Sequence, residues 1–215
     1  MATKTQTPAV SSTRTATARS STSRTRTAKL VFPESLLTIN DLAALPDTKP
    51  RYELIEGRLV QKMTTKRKHS QAAGYLLFQL MTWAEGRNGW RFFPEGTGVK
   101  INDYGAYVPD VVGFAPGTVL DPEESIGGTP FLVAEVLSKS TSKRDRVHKL
   151  RDYASIGVQL YLIADPDKKT LEIHALKNGK YSSPQVLRDN DVWQPAELPE
   201  LRLEVARLWL DSPEG

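Results

Sequence analysis

The chain has no cysteine among its 215 residues. That absence removes disulfides, thiolate zinc sites and cysteine nucleophiles together, and it fits a reducing, cytoplasmic setting. Histidine is scarce: only His69, His148 and His174 occur, and they do not stand at a metal-ligand spacing. No apolar run approaches the ~20 residues of a membrane-spanning helix. No charged start followed by an apolar stretch marks a secretory signal. Acid is missing from one region only. Residues 1–28 carry Lys4, Arg14, Arg19, Arg24 and Arg26 and no carboxylate. The rest holds 24 basic and 25 acidic side chains, so the basic isoelectric point belongs to the tail and says nothing about the body.

That tail, "SSTRTATARSSTSRTRTA", has no apolar periodicity and is expected to be disordered. It reads as a flexible extension, as an arm that contacts phosphates, or as a transit peptide. Residues 29–215 are expected to form a single domain. "LTINDLAALPD" offers Asn40 or Asp41 as the cap of a short helix. "YELIEGRLVQKM" predicts a hairpin turning at Glu56-Gly57. "HSQAAGYLLFQLMTWAEGR" has helical spacing, with Ala73, Leu76, Leu77, Leu80 and Met81 on one face and Gly86 or Gly89 ending it. The short strands "WRFFPE", "GVKI", "YVPDVVGF" and "FLVAEVL" follow. A helix is predicted over 143–156, then the apolar run "VQLYLIADP", which forms a hairpin with "TLEIHAL". Asn178-Gly179 is a further turn. This order implies an α/β (α+β) architecture, a mixed β-sheet flanked by helices.

Two acids sit inside apolar strand-like runs, Asp110 in "VPDVVGF" and Glu135 in "FLVAEVL". A buried carboxylate costs several kcal/mol unless it is paired, hydrogen-bonded or metal-bound. The 24 residues between them suit two antiparallel strands joined by a long loop, which would bring both acids onto one face. Such neighbours cannot both stay ionised without a cation. With no thiolate and no histidine cluster, that cation would be magnesium or manganese. Taken singly, Asp110 is a turn acid after Pro109 and Glu135 a strand-end ion pair. The basic helix "SKRDRVHKL" supplies candidate counter-charges. On a regular helical wheel Val147, Leu150 and Ala154 form the buried stripe. Lys149 lies on its border, between Arg146 and Tyr153. It can reach back over the sheet, or it can merely pair with Asp145 on a solvated face.

These residues resemble the PD-(D/E)XK nuclease superfamily with its restriction-endonuclease-like fold, and more narrowly the Uma2 family. The matching pieces are "YELIEGRLV", His69 opening a helix, "VPDVVGF", "LVAEVLSKST" and "KLRDYASIGVQLYLIADP", in order over about residues 50–176. The resemblance implies an endonuclease that hydrolyses DNA phosphodiesters with Mg²⁺ or Mn²⁺. Asp110 and Glu135 would hold the metal, Glu53 would add a carboxylate, and His69 would either support these ligands or lie on the phosphate side. The superfamily's lysine stands two residues after the Glu, where this chain has Leu137. The family's lysine looks displaced to the following helix. This puts Lys149 forward, with Tyr153 beside it, and leaves Lys139 as the rival. A nuclease that cuts both strands is expected to act as a homodimer. The alternatives are an inactive nuclease fold that binds DNA, and a structural or dimerisation protein whose acids pair with Arg144 or Arg146.

Overall fold

The computed structural model describes residues 35–45, 51–62, 65–124 and 126–209; the tail expected over residues 1–28 lies outside them. The first helix, α1 (Ile39–Ala43), is capped by Thr38 rather than by Asn40 or Asp41. Asp41 reaches back instead, its Oδ2 accepting the Thr38 N–H at 2.7 Å, the reciprocal half of a capping box. Strands β1 (Tyr52–Ile55) and β2 (Arg58–Gln61) form the expected hairpin. Its turn residues Glu56 and Gly57 have φ of 49° and 74°, the left-handed pair that a two-residue hairpin needs.

Helix α2 (Arg67–Ala84) buries Ala72, Leu76, Gln79, Leu80 and Trp83. This differs from the expected stripe: Met81 is exposed, and Ala73 and Leu77 are half-buried. Two polar handles account for the rotation. Trp83 Nε1 donates to the Pro199 carbonyl at 2.8 Å. The Gln79 amide is bracketed by the backbone of Glu204, accepting from its N–H at 2.7 Å and donating to its carbonyl at 3.3 Å. Both groups can be buried because both are satisfied.

The strands that follow are β3 (Arg91–Pro94), β4 (Val99–Asn102), β5 (Gly105–Tyr107), β6 (Val111–Phe114) and β7 (Leu132–Val136). The run "YVPDVVGF" thus belongs to two strands in two sheets. β5 joins a four-stranded sheet of order β2-β1-β5-β4, whereas β6 joins the main sheet. Pro109 has no N–H to give a ladder, so the chain changes sheet there, and Asp110 stands at the junction. Beyond the helical segment 142–155 come β8 (Leu160–Asp165), β9 (Thr170–Lys177), β10 (Lys180–Tyr181) and β11 (Gln185–Arg188). The main sheet runs β10-β9-β8-β7-β6-β3, with β11 also on β9. β7 and β8 are parallel, joined by the helical crossover, and the other pairs are antiparallel. The Asn178-Gly179 turn links β9 to β10 with φ of 51° and 75°. β12 (Val192–Trp193) and β13 (Leu203–Glu204) make a short pair, followed by a 3₁₀ turn at Val205–Leu208.

The architecture is therefore the expected mixed sheet flanked by helices. Alternation along each strand divides the core in two. Leu132, Ala134, Val136, Leu160, Leu162 and Ala164 pack toward α2 and the C-terminal segment. Val133, Leu137, Tyr161 and Ile163 pack toward the helical crossover, with Tyr153 and Val158. Glu135 alternates with Val133 and Leu137, so it faces the crossover helix. Among the described residues no helix is long and apolar enough to cross a membrane. A close approach shapes the sheet at Gly113, where a Cβ would lie 2.4 Å from the Phe92 ring.

Candidate active site

β6 and β7 pair antiparallel, with Val111 opposite Ala134 and Val112 opposite Val133. Continued by one residue, that register sets Asp110 opposite Glu135. The two acids share the crossover face and are 5% and 4% exposed. Asp110 Oδ2 accepts the Val136 N–H at 2.7 Å and has His69 Nε2 at 3.2 Å. The histidine comes from the first turn of α2, so α2 and β7 meet at one carboxylate.

The crossover helix is not the regular helix the sequence predicts. It opens with an α turn at Ser142–Arg144, widens into a π turn at Asp145–Lys149 and returns to α at Leu150–Ser155. The wider turn inserts an extra residue and rotates what precedes and follows it. Val147, expected inside, is 54% exposed, whereas Asp145 and Lys149 are 1% exposed. The border lysine of the helical wheel has become a core lysine. Its Nζ donates to Glu135 Oε1 at 2.6 Å and to Glu53 Oε1 at 2.9 Å, and it lies 3.8 Å from Asp145 Oδ1. It also sits 5.0 Å from the centre of the Tyr107 ring, on whose face a cation is favoured. Tyr153, one turn on, donates its hydroxyl to the same Glu135 Oε1 at 3.0 Å.

Glu53 is fully buried on β1. Its Oε1 also accepts the Val108 N–H at 3.3 Å, and Arg144 Nη2 lies 3.2 Å from its Oε2. Lys62, just past β2, completes the group. It donates to the Val108 carbonyl at 2.7 Å and lies 3.3 Å from both Asp110 Oδ1 and Glu95 Oε1. The inner cluster thus sets four carboxylates, Glu53, Asp110, Glu135 and Asp145, against Lys62, Arg144 and Lys149. It is one positive charge short, and the carboxylates divide accordingly. Burial pushes Glu135 up to about 8 despite the pull of Lys149, and the nearby charges of Asp110 and Asp145 add to the rise. Burial also acts to raise Asp110, but the hydrogen bond from His69 and the ammonium of Lys62 hold it at about 2. Burial works against Glu53 as well, yet Lys149 and Arg144 keep its carboxyl below the usual range. Asp145 is raised, chiefly by burial. Two adjacent acids driven apart in this way are a common mark of a working site.

Every sequence candidate but one meets here. Asp110, Glu135, Glu53, Lys149, His69 and Tyr153 form one contact network, whereas Lys139 is exposed on the turn after β7 and reaches none of these carboxylates. Lys139 instead shares the field of Asp167 with Lys66 and Lys68. Sequence reasoning missed Lys62 and offered Asp145 only as a solvated partner of Lys149. Lys62 carries no local signal, because only the fold of the small sheet over the main one brings it to Asp110. Asp145 was hidden by the assumption of 3.6 residues per turn.

The donor set suits a hard divalent cation. Among the described residues no hydrogen bond reaches Glu135 Oε2, while Oε1 is occupied twice. Asp110 Oδ1, in contrast, faces the Lys62 ammonium at 3.3 Å, a position that a cation can also take. No three histidine or acidic side chains among the described residues are grouped to hold a metal by themselves. Two carboxylates with water completing the shell is an ordinary arrangement for Mg²⁺, but not for structural zinc.

A family model described as "Putative restriction endonuclease", Uma2, matches residues 39–206, a span that includes every member of the cluster. The chain is also similar to a crystal structure from Anabaena variabilis described as "a putative nuclease belonging to DUF820". The two are 24% identical, the likeness covers 80% of this chain and 97% of that one, and the TM-score is 0.68. That likeness establishes the fold. No curated protein matches the chain.

Proposed function

Because the chain belongs to the Uma2 family of restriction-endonuclease type, we propose that it is a metal-dependent endonuclease that hydrolyses DNA phosphodiester bonds. The observation that carries this reading is the pairing of Asp110 with Glu135 across β6 and β7, with Lys149 bonded to Glu135 at 2.6 Å. Asp110 Oδ1 and Glu135 Oε2 would hold Mg²⁺ or Mn²⁺. Such an ion polarises a scissile phosphate and makes water a usable nucleophile near neutral pH.

The other side chains prepare the two ligands. His69 and the Val136 N–H fix one Asp110 oxygen, so the cation would take the other, which faces Lys62 at 3.3 Å. Lys149 and Tyr153 do the same at Glu135, both bonding Oε1 and leaving Oε2. Lys149 is buried, so it acts by orienting Glu135 and by placing a fixed positive charge beneath the site. Glu53 holds that lysine in place and is itself paired with Arg144. At the rim, Lys66, Lys68 and Lys139 surround Asp167, a basic edge able to take DNA phosphates by charge alone.

Incubation of the protein with plasmid DNA and Mg²⁺ or Mn²⁺, beside Glu135→Ala, tests the reading. Nicking or linearisation by the wild type and none by the variant is expected. Equal cutting by both would assign the activity to a contaminant. A second reading, a nuclease fold that binds DNA without cutting, draws on one observation. Three internal cations already face the carboxylates, so the cluster is close to neutral without a metal. Under that reading DNA binds without Mn²⁺ and calorimetry detects no binding of the ion.

A further inference from the structure

We propose that Lys62 is a tethered cation that holds the metal position in the resting site and swings out to Glu95 when a divalent ion binds. The inference rests on the reading of Asp110 and Glu135 as the metal pair. Its starting point is the set of atoms around the ammonium. Lys62 Nζ has a backbone carbonyl, Val108, at 2.7 Å and two carboxylate oxygens, Asp110 Oδ1 and Glu95 Oε1, each at 3.3 Å. These are all hard oxygens, the donor kinds that Mg²⁺ and Mn²⁺ take.

The hydrogen bonds of Asp110 sharpen the point. Its Oδ2 is occupied by Val136 N–H and His69. Only Oδ1 is left for an ion, and Lys62 stands against it. The ammonium thus contacts one of the two carboxylates that would share the metal. A monovalent ammonium and a divalent ion cannot occupy that space together without strong repulsion.

The surroundings also provide for the departure. Lys62 is anchored through its backbone, whose N–H donates to the Arg51 carbonyl at 2.9 Å, so movement falls to the flexible four-carbon side chain. Glu95 follows β3 on the rim and is 39% exposed. It already contacts the ammonium, and it offers an acidic resting place outside the cluster. Lys62 itself is 14% exposed, which leaves a short path to solvent.

Mn²⁺ titration by calorimetry tests this on the full chain, comparing wild type with Lys62→Met, Lys62→Gln and Asp110→Asn. Both Lys62 variants should bind Mn²⁺ at least tenfold more tightly than the wild type, and Asp110→Asn should abolish binding. Unchanged or weaker binding by the Lys62 variants, with Asp110→Asn still abolishing it, overturns the tethered-cation role and leaves the metal pair standing. No binding by the wild type or by either Lys62 variant overturns the metal reading, and this inference with it. A second measurement needs no substitution: acetylation of lysines followed by peptide mass mapping. Saturating Mn²⁺ should speed labelling of Lys62 several-fold while Lys149 stays protected. Equal labelling of Lys62 with and without Mn²⁺ refutes the displacement.

Discussion

Lys149→Met is the substitution whose consequences the structure defines best. Methionine fills nearly the same volume, so the change deletes a charge without opening a large cavity. The ammonium has carboxylate oxygens at 2.6, 2.9 and 3.8 Å. At an effective dielectric of about 20, each of the two closer contacts is worth roughly 6 kcal/mol of attraction when its carboxylate is ionised. Much of that is offset, because dehydrating the ammonium costs several kcal/mol. Removing one partner of a buried ion pair costs about 3–5 kcal/mol net, and Lys149 serves more than one carboxylate, so the upper end is expected. The loss should depend on pH in a definite sense. In the wild type, Lys149 is the largest influence holding Glu53 below its ordinary value. A lowered carboxylate contributes stability above its unfolded pKa and loses it as pH falls. In the variant Glu53 and Asp145 lose the cation that lowers each most and keep Arg144 beside them, their folded pKa values rise, and protonation in the folded state relieves the repulsion. The deficit should therefore be largest at pH 8 and above and should shrink toward pH 5. Urea unfolding of both proteins across that range measures it. A loss below about 1 kcal/mol, or one that does not change with pH, would refute the account of Lys149 as the buried counter-charge.

Tyr153→Phe removes one hydrogen bond to Glu135 Oε1 and should cost about 1 kcal/mol, with a further rise in the pKa of Glu135 visible by carboxyl-carbon NMR. Lys139→Ala should leave stability within about 0.5 kcal/mol, yet lower the salt slope of DNA binding by about one contact; loss of the fold would place Lys139 in the cluster after all. Gly113→Ala drives a methyl into the Phe92 ring and should cost about 1–3 kcal/mol in overpacking, readable as a lowered melting temperature. An unshifted melting temperature would show that Phe92 moves aside freely. Deletion of residues 1–28 takes away five positive charges and should weaken DNA binding most at low salt; unchanged binding at 50 mM salt would exclude the tail as a phosphate arm.

Much of this arrangement was legible in the residues themselves. Period-2 alternation through "FLVAEVL" forces Glu135 onto the face opposite Leu132 and Ala134, whatever the rest of the fold does. The 24-residue spacing from Asp110, with a loop of prolines, glycines and acids between, made an antiparallel neighbour the natural solution, and β6 and β7 are that pair. The Glu56-Gly57 and Asn178-Gly179 turns followed from the few residues that tolerate positive φ. Where reading failed, the cause was a tertiary force stronger than local preference. Met81 yielded its place on α2 because Gln79 and Trp83 found backbone partners across the core.

The site divides along the same line. Sequence alone determined that two acids lie in apolar strands and that a basic helix follows them, because burial and periodicity are local properties of the chain. Only the tertiary structure decided which cations answer those acids. A π turn carries Lys149 inward, a turn width no helical wheel assumes. The chain's change of sheet at Pro109 then brings Lys62 to Asp110 and Glu53 to Lys149, across 48 and 96 residues of sequence. Charges separated by that much chain meet only when two sheets close over one another, and no spacing rule contains that distance.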